Sequence, residues 1–173
     1  MKIRVTLSDS GINEALRQLE DYSRKMQDKA DKLTKELAAI GLEVARVGFA
    51  EAQYDGTNDV SVTVEDKGKG YKAVVATGQA VLFIEFGTGV TYADNHPQKP
   101  DGIVGRGEYG KGHGSRRTWG YYGEPGTNGT VIDRGGKQVV LTHGNPANMS
   151  MYNAKERMRQ DIERVAREVF ANA

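Results

Sequence analysis

Apolar residues recur every three or four positions through most of the first fifty residues, and this period constrains the fold more than any other feature. The series begins at Ile12 and continues through Leu16, Leu19, Tyr22, Met26, Leu33, Leu37, Ile40, Val44 and Val47. The spacing predicts an amphipathic helix, with capping residues at Ser8–Gly11 and a weak stripe at Lys29–Asp31 that permits a bend. A helix of about 40 residues is about 60 Å long, whereas a compact chain of this size has a radius of gyration of about 16 Å. We therefore expect part of the helix to lie along a partner.

The polar side of the same segment carries acidic residues four positions before basic ones. The pairs are Glu20–Arg24, Asp21–Lys25, Asp28–Lys32 and Asp31–Lys35. Each such pair stabilises a helix by about 0.2–0.5 kcal/mol. The pattern indicates a solvated helical face.

Alternating apolar residues predict short strands elsewhere in the chain. Alternation over Lys2–Leu7 predicts a strand, and a β-hairpin is predicted for residues 60–75 around the turn Asp66–Gly70. A second hairpin is predicted for Thr130–Leu141 around Gly135 and Gly136. The last helix is predicted from the stripe Met151, Ala154, Met158, Ile162, Val165 and Val169. The expected fold class is α+β, in which a small antiparallel sheet packs against a long N-terminal helix and a C-terminal helix.

Length and composition favour a single domain over residues 1–173. Apolar residues make up 38% of the chain, below the usual value of roughly 45–50%, so we expect neighbouring subunits to complete part of the core. The formal net charge is +1 and there is no cysteine, which excludes disulfides and thiolate sites. The N-terminus lacks the apolar region of a signal peptide, and no stretch is apolar enough to span a membrane. We expect a protein that is made in the cytoplasm and has no membrane contact.

Glycine is concentrated in the second half, where 15 of the 22 glycines lie between Gly87 and Gly144 together with all three histidines. This density predicts a long loop over about residues 90–129, because each glycine loses extra backbone entropy when it is ordered. A loop of this length in a compact domain usually has a function or is disordered.

Catalytic and metal-binding patterns are incomplete. Residues 105–110 match the dinucleotide pattern G-x-G-x-x-G, but the strand and helix that this site requires are not predicted around them. His96, His113 and His143 have none of the short spacings of a metal site, and no nucleophile elbow is present. We predict no catalytic residue, cofactor or metal; a metal-dependent hydrolase that uses the loop histidines is the least favoured alternative.

Basic and aromatic residues are interleaved within residues 92–122. The candidate interface residues are Tyr92, Arg106, Tyr109, Arg116, Arg117, Trp119, Tyr121 and Tyr122. Such residues anchor protein–protein interfaces, and they also bind single-stranded nucleic acid by stacking. Because the net charge is close to zero, a protein interface is favoured, and a nucleic-acid-binding module that uses residues 94–122 is the alternative.

A short apolar run, Val81–Phe86, contains one carboxylate, Glu85. A buried carboxylate needs a partner or hydrogen bonds. Glu85 therefore either points out of a half-buried segment or accepts bonds from backbone N–H groups, such as those of the Gly87–Gly89 turn. The run is short enough to be a strand or a helical turn, and its periodicity does not decide between them.

This run and its turn resemble a signature of the tail-completion, or head–tail joining, proteins of long-tailed phages. The resemblance lies in Phe83, Glu85, Phe86, Gly87, Thr88 and Gly89. A second similarity is Asn145–Met149, an Asn-Pro-Ala-Asn-Met sequence that precedes the last helix, and a third is the order of the elements.

The resemblance implies a structural protein of the virion neck, at the head-proximal end of the tail, that is not an enzyme. Its expected partners are copies of itself in a six- or twelve-fold ring and neighbouring neck, tail-terminator or tail-tube proteins, close to the path of the DNA. The motif from Phe83 to Gly89 would hold a corner of the sheet, and residues 92–122 would order against other subunits or the tail tube.

Overall fold

The computed structural model describes residues 4–88, 117–125 and 129–171, and these residues form an α+β fold. The elements are α1 (Asp9–Ala50), β1 (Ser61–Asp66), β2 (Lys72–Thr77), α2 (Val81–Phe86), β3 (Trp119–Tyr121), β4 (Thr130–Asp133), β5 (Gln138–Thr142) and α3 (Ser150–Phe170). The expected fold class is confirmed.

The long helix α1 runs for 42 residues without a break, so it is about 63 Å long. The Ser8 hydroxyl accepts a bond from the Gly11 N–H at 3.2 Å and caps its first turn, as predicted. Helical structure continues through Lys29–Asp31, which shows that the weaker apolar stripe there does not interrupt it.

Helix α3 packs against the C-terminal part of α1 and runs in the opposite direction. Ser150 at its start touches Gly48, Met158 in its middle touches Gly41, and Phe170 at its end lies beside Lys29. A Cβ atom on Gly41 would come within 2.6 Å of the Met158 sulfur. Small residues on α1 therefore let the two helices approach closely along a line that ends near Lys29.

The hydrophobic core lies where α1, α2, α3 and the first hairpin meet. Its fully buried members are Ala45, Phe49, Val62, Ala80, Ile84 and Ala154. Partly buried apolar residues such as Leu42, Val74 and Met151 pack around this set, and polar contacts add to the order around it.

Two antiparallel sheets form in place of the one that we expected. Strands β1 and β2 pair from Ser61↔Thr77 to Asp66↔Lys72, which confirms the first hairpin. In the second sheet, β5 lies between β3 and β4, and the β4–β5 pairing confirms the second hairpin.

The strand that we predicted at the N-terminus is wrong for the part that the structure describes. Residues 4–7 have no strand structure, and Leu7 is 94% exposed. Alternation alone does not make a strand, because the backbone N–H and C=O groups of a strand need a neighbouring edge to pair with.

The first hairpin is fastened to α1 by Lys72, whose side chain is only 8% exposed. Its ammonium binds Asp31 of α1 at 2.8 Å and Asp66 of β1 at 2.9 Å. The predicted salt bridge between Asp31 and Lys35 is replaced by this longer-range one. The hydrogen bond from Lys72, followed by the bond from the Gly70 N–H, lowers the pKa of Asp31. The pKa of Asp66 is lowered first by Lys72 and then by the Gly68 N–H. The two carboxylates in turn raise the pKa of Lys72.

We expect Lys72→Met to lower the melting temperature at pH 7, because the two aspartates lose their shared cation. Their lowered pKa values stabilise the fold above the ordinary aspartate pKa of about 3.9, and this contribution disappears as the pH falls through the folded values. The difference in melting temperature between wild type and Lys72→Met should therefore shrink from roughly pH 6 to roughly pH 2.5, measured by circular dichroism. Lys69→Met, in the turn between β1 and β2, serves as the control. A difference in melting temperature between wild type and Lys72→Met that stays constant over this pH range would contradict the role assigned to Lys72.

Candidate functional site

The apolar run Val81–Phe86 forms the short helix α2. The Asp59 carboxylate accepts bonds from the Gln79 and Ala80 N–H groups at 2.8 and 2.9 Å and thereby caps the turn that leads into it. These backbone bonds hold the pKa of Asp59 below its usual value. In this helix Ile84 is completely buried and Glu85 is only 5% exposed. A carboxylate therefore lies inside the fold.

The Glu85 carboxylate caps the N-terminus of α3. Oε2 accepts a bond from the Met151 N–H at 2.8 Å, and Oε1 accepts one from the Tyr152 N–H at 2.9 Å. The first N–H groups of a helix have no partner within the helix, and they carry partial positive charge. Of the two alternatives for Glu85, the one with backbone bonds is correct, although the donors belong to α3 and not to the turn beside it.

Met149, the N-cap residue that directly precedes α3, makes no side-chain capping bond and adopts a left-handed conformation with φ 57°. Its N–H donates to the Glu85 carbonyl at 3.2 Å, and the Asn148 N–H donates to the Ile84 carbonyl at 2.9 Å. Helix α2 therefore supplies backbone acceptors as well as the carboxylate to the start of α3.

The next turn of chain after α2 closes against the segment before α3. The Thr88 N–H donates to the Asn145 carbonyl at 2.8 Å, and the Thr88 hydroxyl donates to the Asn145 side-chain oxygen at 2.5 Å. The Asn145 amide nitrogen donates to the Phe83 carbonyl at 2.9 Å. We call residues 83–88 together with residues 145–152 the clasp.

Gly87 is the closest point of approach within the clasp. Its backbone has φ 75° and ψ 172°, a region that is essentially restricted to glycine. A Cβ atom there would lie 2.6 Å from the Ala147 nitrogen, 2.7 Å from the Asn145 oxygen and 2.8 Å from the Pro146 carbonyl carbon. Backbone conformation and space both require glycine at this position. The corner follows α2 and packs against Asn145, Pro146 and Ala147, in the segment before α3.

Asn148 connects the clasp to α1. Its side-chain amide donates to the Gly48 carbonyl and to the Ser150 hydroxyl, each at 2.7 Å. The clasp thus brings α1, α2 and α3 together, and one of its residues, Ile84, is also part of the hydrophobic core.

A second polar cluster fastens the three-stranded sheet to the segment that follows α1. Asp55 is buried; its carboxylate accepts the Thr142 hydroxyl, and its carbonyl accepts the Tyr121 hydroxyl. The Gly144 N–H in turn donates to the Thr142 hydroxyl at 3.0 Å. The role of Asp55 could not be predicted from the sequence, because the local pattern around it indicates only the end of a helix.

The candidate interface residues fall into two groups. Tyr92, Arg106, Tyr109 and Arg116 lie outside the described residues, as does Gly89 of the motif. Of the others, Arg117 and Tyr122 are exposed at the two ends of β3, and Trp119 is partly buried on it. Tyr121 is bonded to Asp55 of its own chain.

The loop histidines divide in the same way, since His96 and His113 lie outside the described residues. His143 is exposed, and its Nδ1 lies 2.8 Å from the Thr118 hydroxyl. Within residues 4–88, 117–125 and 129–171, no three potential ligands are grouped to hold a metal ion. In the same residues, no helix has the length and apolar character needed to cross a membrane.

Comparisons of the chain with models of protein families, with curated proteins and with solved structures return no match.

Gly87→Val should lower the free energy of unfolding by at least about 3 kcal/mol, since it adds backbone strain and a collision with the segment before α3. Thermal unfolding of the purified variant measures the effect. Gly123→Val is the matched control, because a Cβ atom there meets only the Tyr121 ring at 3.4 Å or more. A melting temperature equal to that of wild type would refute the assignment of Gly87.

Glu85→Ala should cost about 2 to 3 kcal/mol of stability, because two N–H groups of α3 lose a charged acceptor in a buried place. Glu85→Gln keeps an acceptor and removes the charge, so its cost should be about 1 kcal/mol. Urea unfolding gives both values. The control is Glu163→Gln, whose exposed salt bridge to Arg167 should contribute little. Equal stability of Glu85→Ala and wild type would show that the cap is unimportant.

Proposed function

We propose that this protein is a structural component of a tailed-phage virion that completes the tail and joins it to the head at the neck. It acts through self-assembly and protein–protein contacts, and it catalyses no reaction. Its partners are copies of itself in a ring of six or twelve, and neighbouring neck, tail-terminator or tail-tube proteins. The protein is made in the host cytoplasm and ends in the virion.

The observation that carries the proposal is that both segments resembling the tail-completion family meet in the clasp. Glu85–Thr88 and Asn145–Met149 are about 60 residues apart in the chain, yet they share four backbone or side-chain hydrogen bonds between Thr88, Asn145, Glu85 and Met149. Two motifs that depend on each other for their geometry are stronger support than two short motifs taken separately.

The chemistry of the clasp supports an architectural role. Glu85 directs its carboxylate at the N–H groups of α3, and Asn145 and Asn148 direct their amides at backbone carbonyls. Each of these polar side chains forms hydrogen bonds with backbone groups of another segment of the clasp or of α1. The motif residues that the structure describes therefore serve to position helices.

The shape of the molecule supports assembly. Helix α1 continues well beyond the end of α3, and Leu16 and Leu19 are about half exposed in that part. Exposed apolar residues in a regular row on a helix are typical of a protein interaction surface.

Disruption of the gene in the phage tests the proposal. We expect infected cells to accumulate DNA-filled heads and separate tails, visible by electron microscopy, and a plasmid copy to restore joined particles. The Gly87→Val copy should fail to restore them, whereas a copy with Leu82→Ala, at an exposed position of α2, should succeed. Mass spectrometry of purified virions should detect the protein. Normal numbers of joined, infectious particles without the gene would overturn the proposal.

A further inference from the structure

The N-terminal part of α1 extends beyond the end of α3. Phe170, the last residue of α3, lies beside Lys29, and Lys72 of the first hairpin binds Asp31. The preceding residues 9–28, which we call the α1 extension, form about 30 Å of helix.

The α1 extension carries a row of apolar side chains that are about half exposed, although Ala15 on the same side is buried. Ile12, Leu16, Leu19 and Tyr22 follow one another at intervals of four, three and three, and each is between 42 and 52% exposed. This spacing puts them on one side of the helix. Exposed apolar side chains in a regular row are typical of an interaction surface, so we expect a partner to cover the row.

Charges on the two flanks of this row are sorted by sign. At 100° per residue, Asp9 and Glu20 lie on one flank, where Asn13 and Gln27 are the other polar residues. Lys25 lies on the opposite flank with Gln18, and Lys29, the first residue after the extension, continues that flank. When two helices pack side by side in parallel, the opposite flanks meet; when they pack antiparallel, the same flanks meet. A second copy of this helix therefore gives attraction in the parallel arrangement and repulsion in the antiparallel one.

The basic flank also has an unsatisfied group. The Lys29 ammonium is buried and makes no hydrogen bond to any residue that the structure describes, and it lies 5.7 Å from the centre of the Phe170 ring. A buried ammonium without an acceptor is costly. An acidic side chain from outside the described structure would relieve that cost.

We infer that the α1 extension of one copy packs in parallel along α1 of the next copy, with its acidic flank against the neighbour's basic flank. This inference rests on the proposed function, and it names the surface through which the subunits associate. The same apolar row of both copies meets in this arrangement, so the contact between two α1 extensions is isologous, and a ring needs a second contact between such pairs.

Sedimentation velocity of the full chain over a range of concentrations tests the surface. Wild type should self-associate, and Leu19→Glu should raise the dissociation constant at least tenfold, because it places a charge in the apolar row. Ile162→Glu is the matched control: Ile162 is 50% exposed on α3, away from the α1 extension, and association should not change. Circular dichroism should show the same helix content in all three proteins.

Charge reversal tests the orientation. Glu20→Lys and Lys25→Glu should each weaken association by roughly tenfold at low salt, where surface charges are least screened, and the double variant should recover most of the loss. Association that tightens in Glu20→Lys would mean that acidic flanks face each other, and would overturn the parallel arrangement.

The two proposals fail in different ways. If Leu19→Glu assembles as well as wild type, the surface is wrong while the role at the phage neck is unaffected. If wild type is monomeric at every concentration, the inference is overturned. If the chain associates through the α1 extension but joined phage particles form normally without its gene, the proposed function is overturned and this interface remains.

Discussion

The buried carboxylate of Glu85 at the start of α3 is the contact on which the rest of the structure depends. Helix α3 has no side-chain cap of its own, so its first N–H groups need an acceptor from elsewhere in the chain. Glu85 meets that need only if α2 is helical and the chain turns sharply after it. Gly87 makes the turn, with a backbone conformation and a clearance that exclude a side chain. One ionic cap thus sets the conformation of both segments.

The remaining parts of the fold are attached by similar polar contacts around a small core. Lys72 fastens the first hairpin to α1, Asp55 fastens the second sheet, and Asn148 joins the clasp to α1. Hydrogen bonds are directional, and they specify a geometry that a few buried apolar residues would leave loose. A thin core combined with specific polar links suits a subunit that completes its packing in an assembly.

Helix α1 belongs to two environments. From Lys29 to Gly48 it is covered by α3, and this part resembles the interior of an ordinary small domain. Before Lys29 the same apolar period continues, and Ile12, Leu16, Leu19 and Tyr22 are about half exposed. The part from Lys29 onward carries the clasp, whereas the part before it leaves apolar side chains exposed. This exposure is one of the observations that support the proposed assembly role.

Local pattern in the sequence determined α1, α3 and both hairpins, because periodicity, capping and turn residues act over a few neighbouring positions. Tertiary structure decided the features that depend on distant groups. Val81–Phe86 became a helix through a cap at Asp59 and through Glu85's bonds to α3, 66 residues away. Asp31 pairs with Lys72 and not with Lys35, and the alternating residues before α1 found no edge to pair with. Helices and hairpins depend on residues that are close in the sequence, so the sequence predicts them. The position of a buried charge such as Glu85 depends on a partner that is distant in the sequence, so only the tertiary structure decides it.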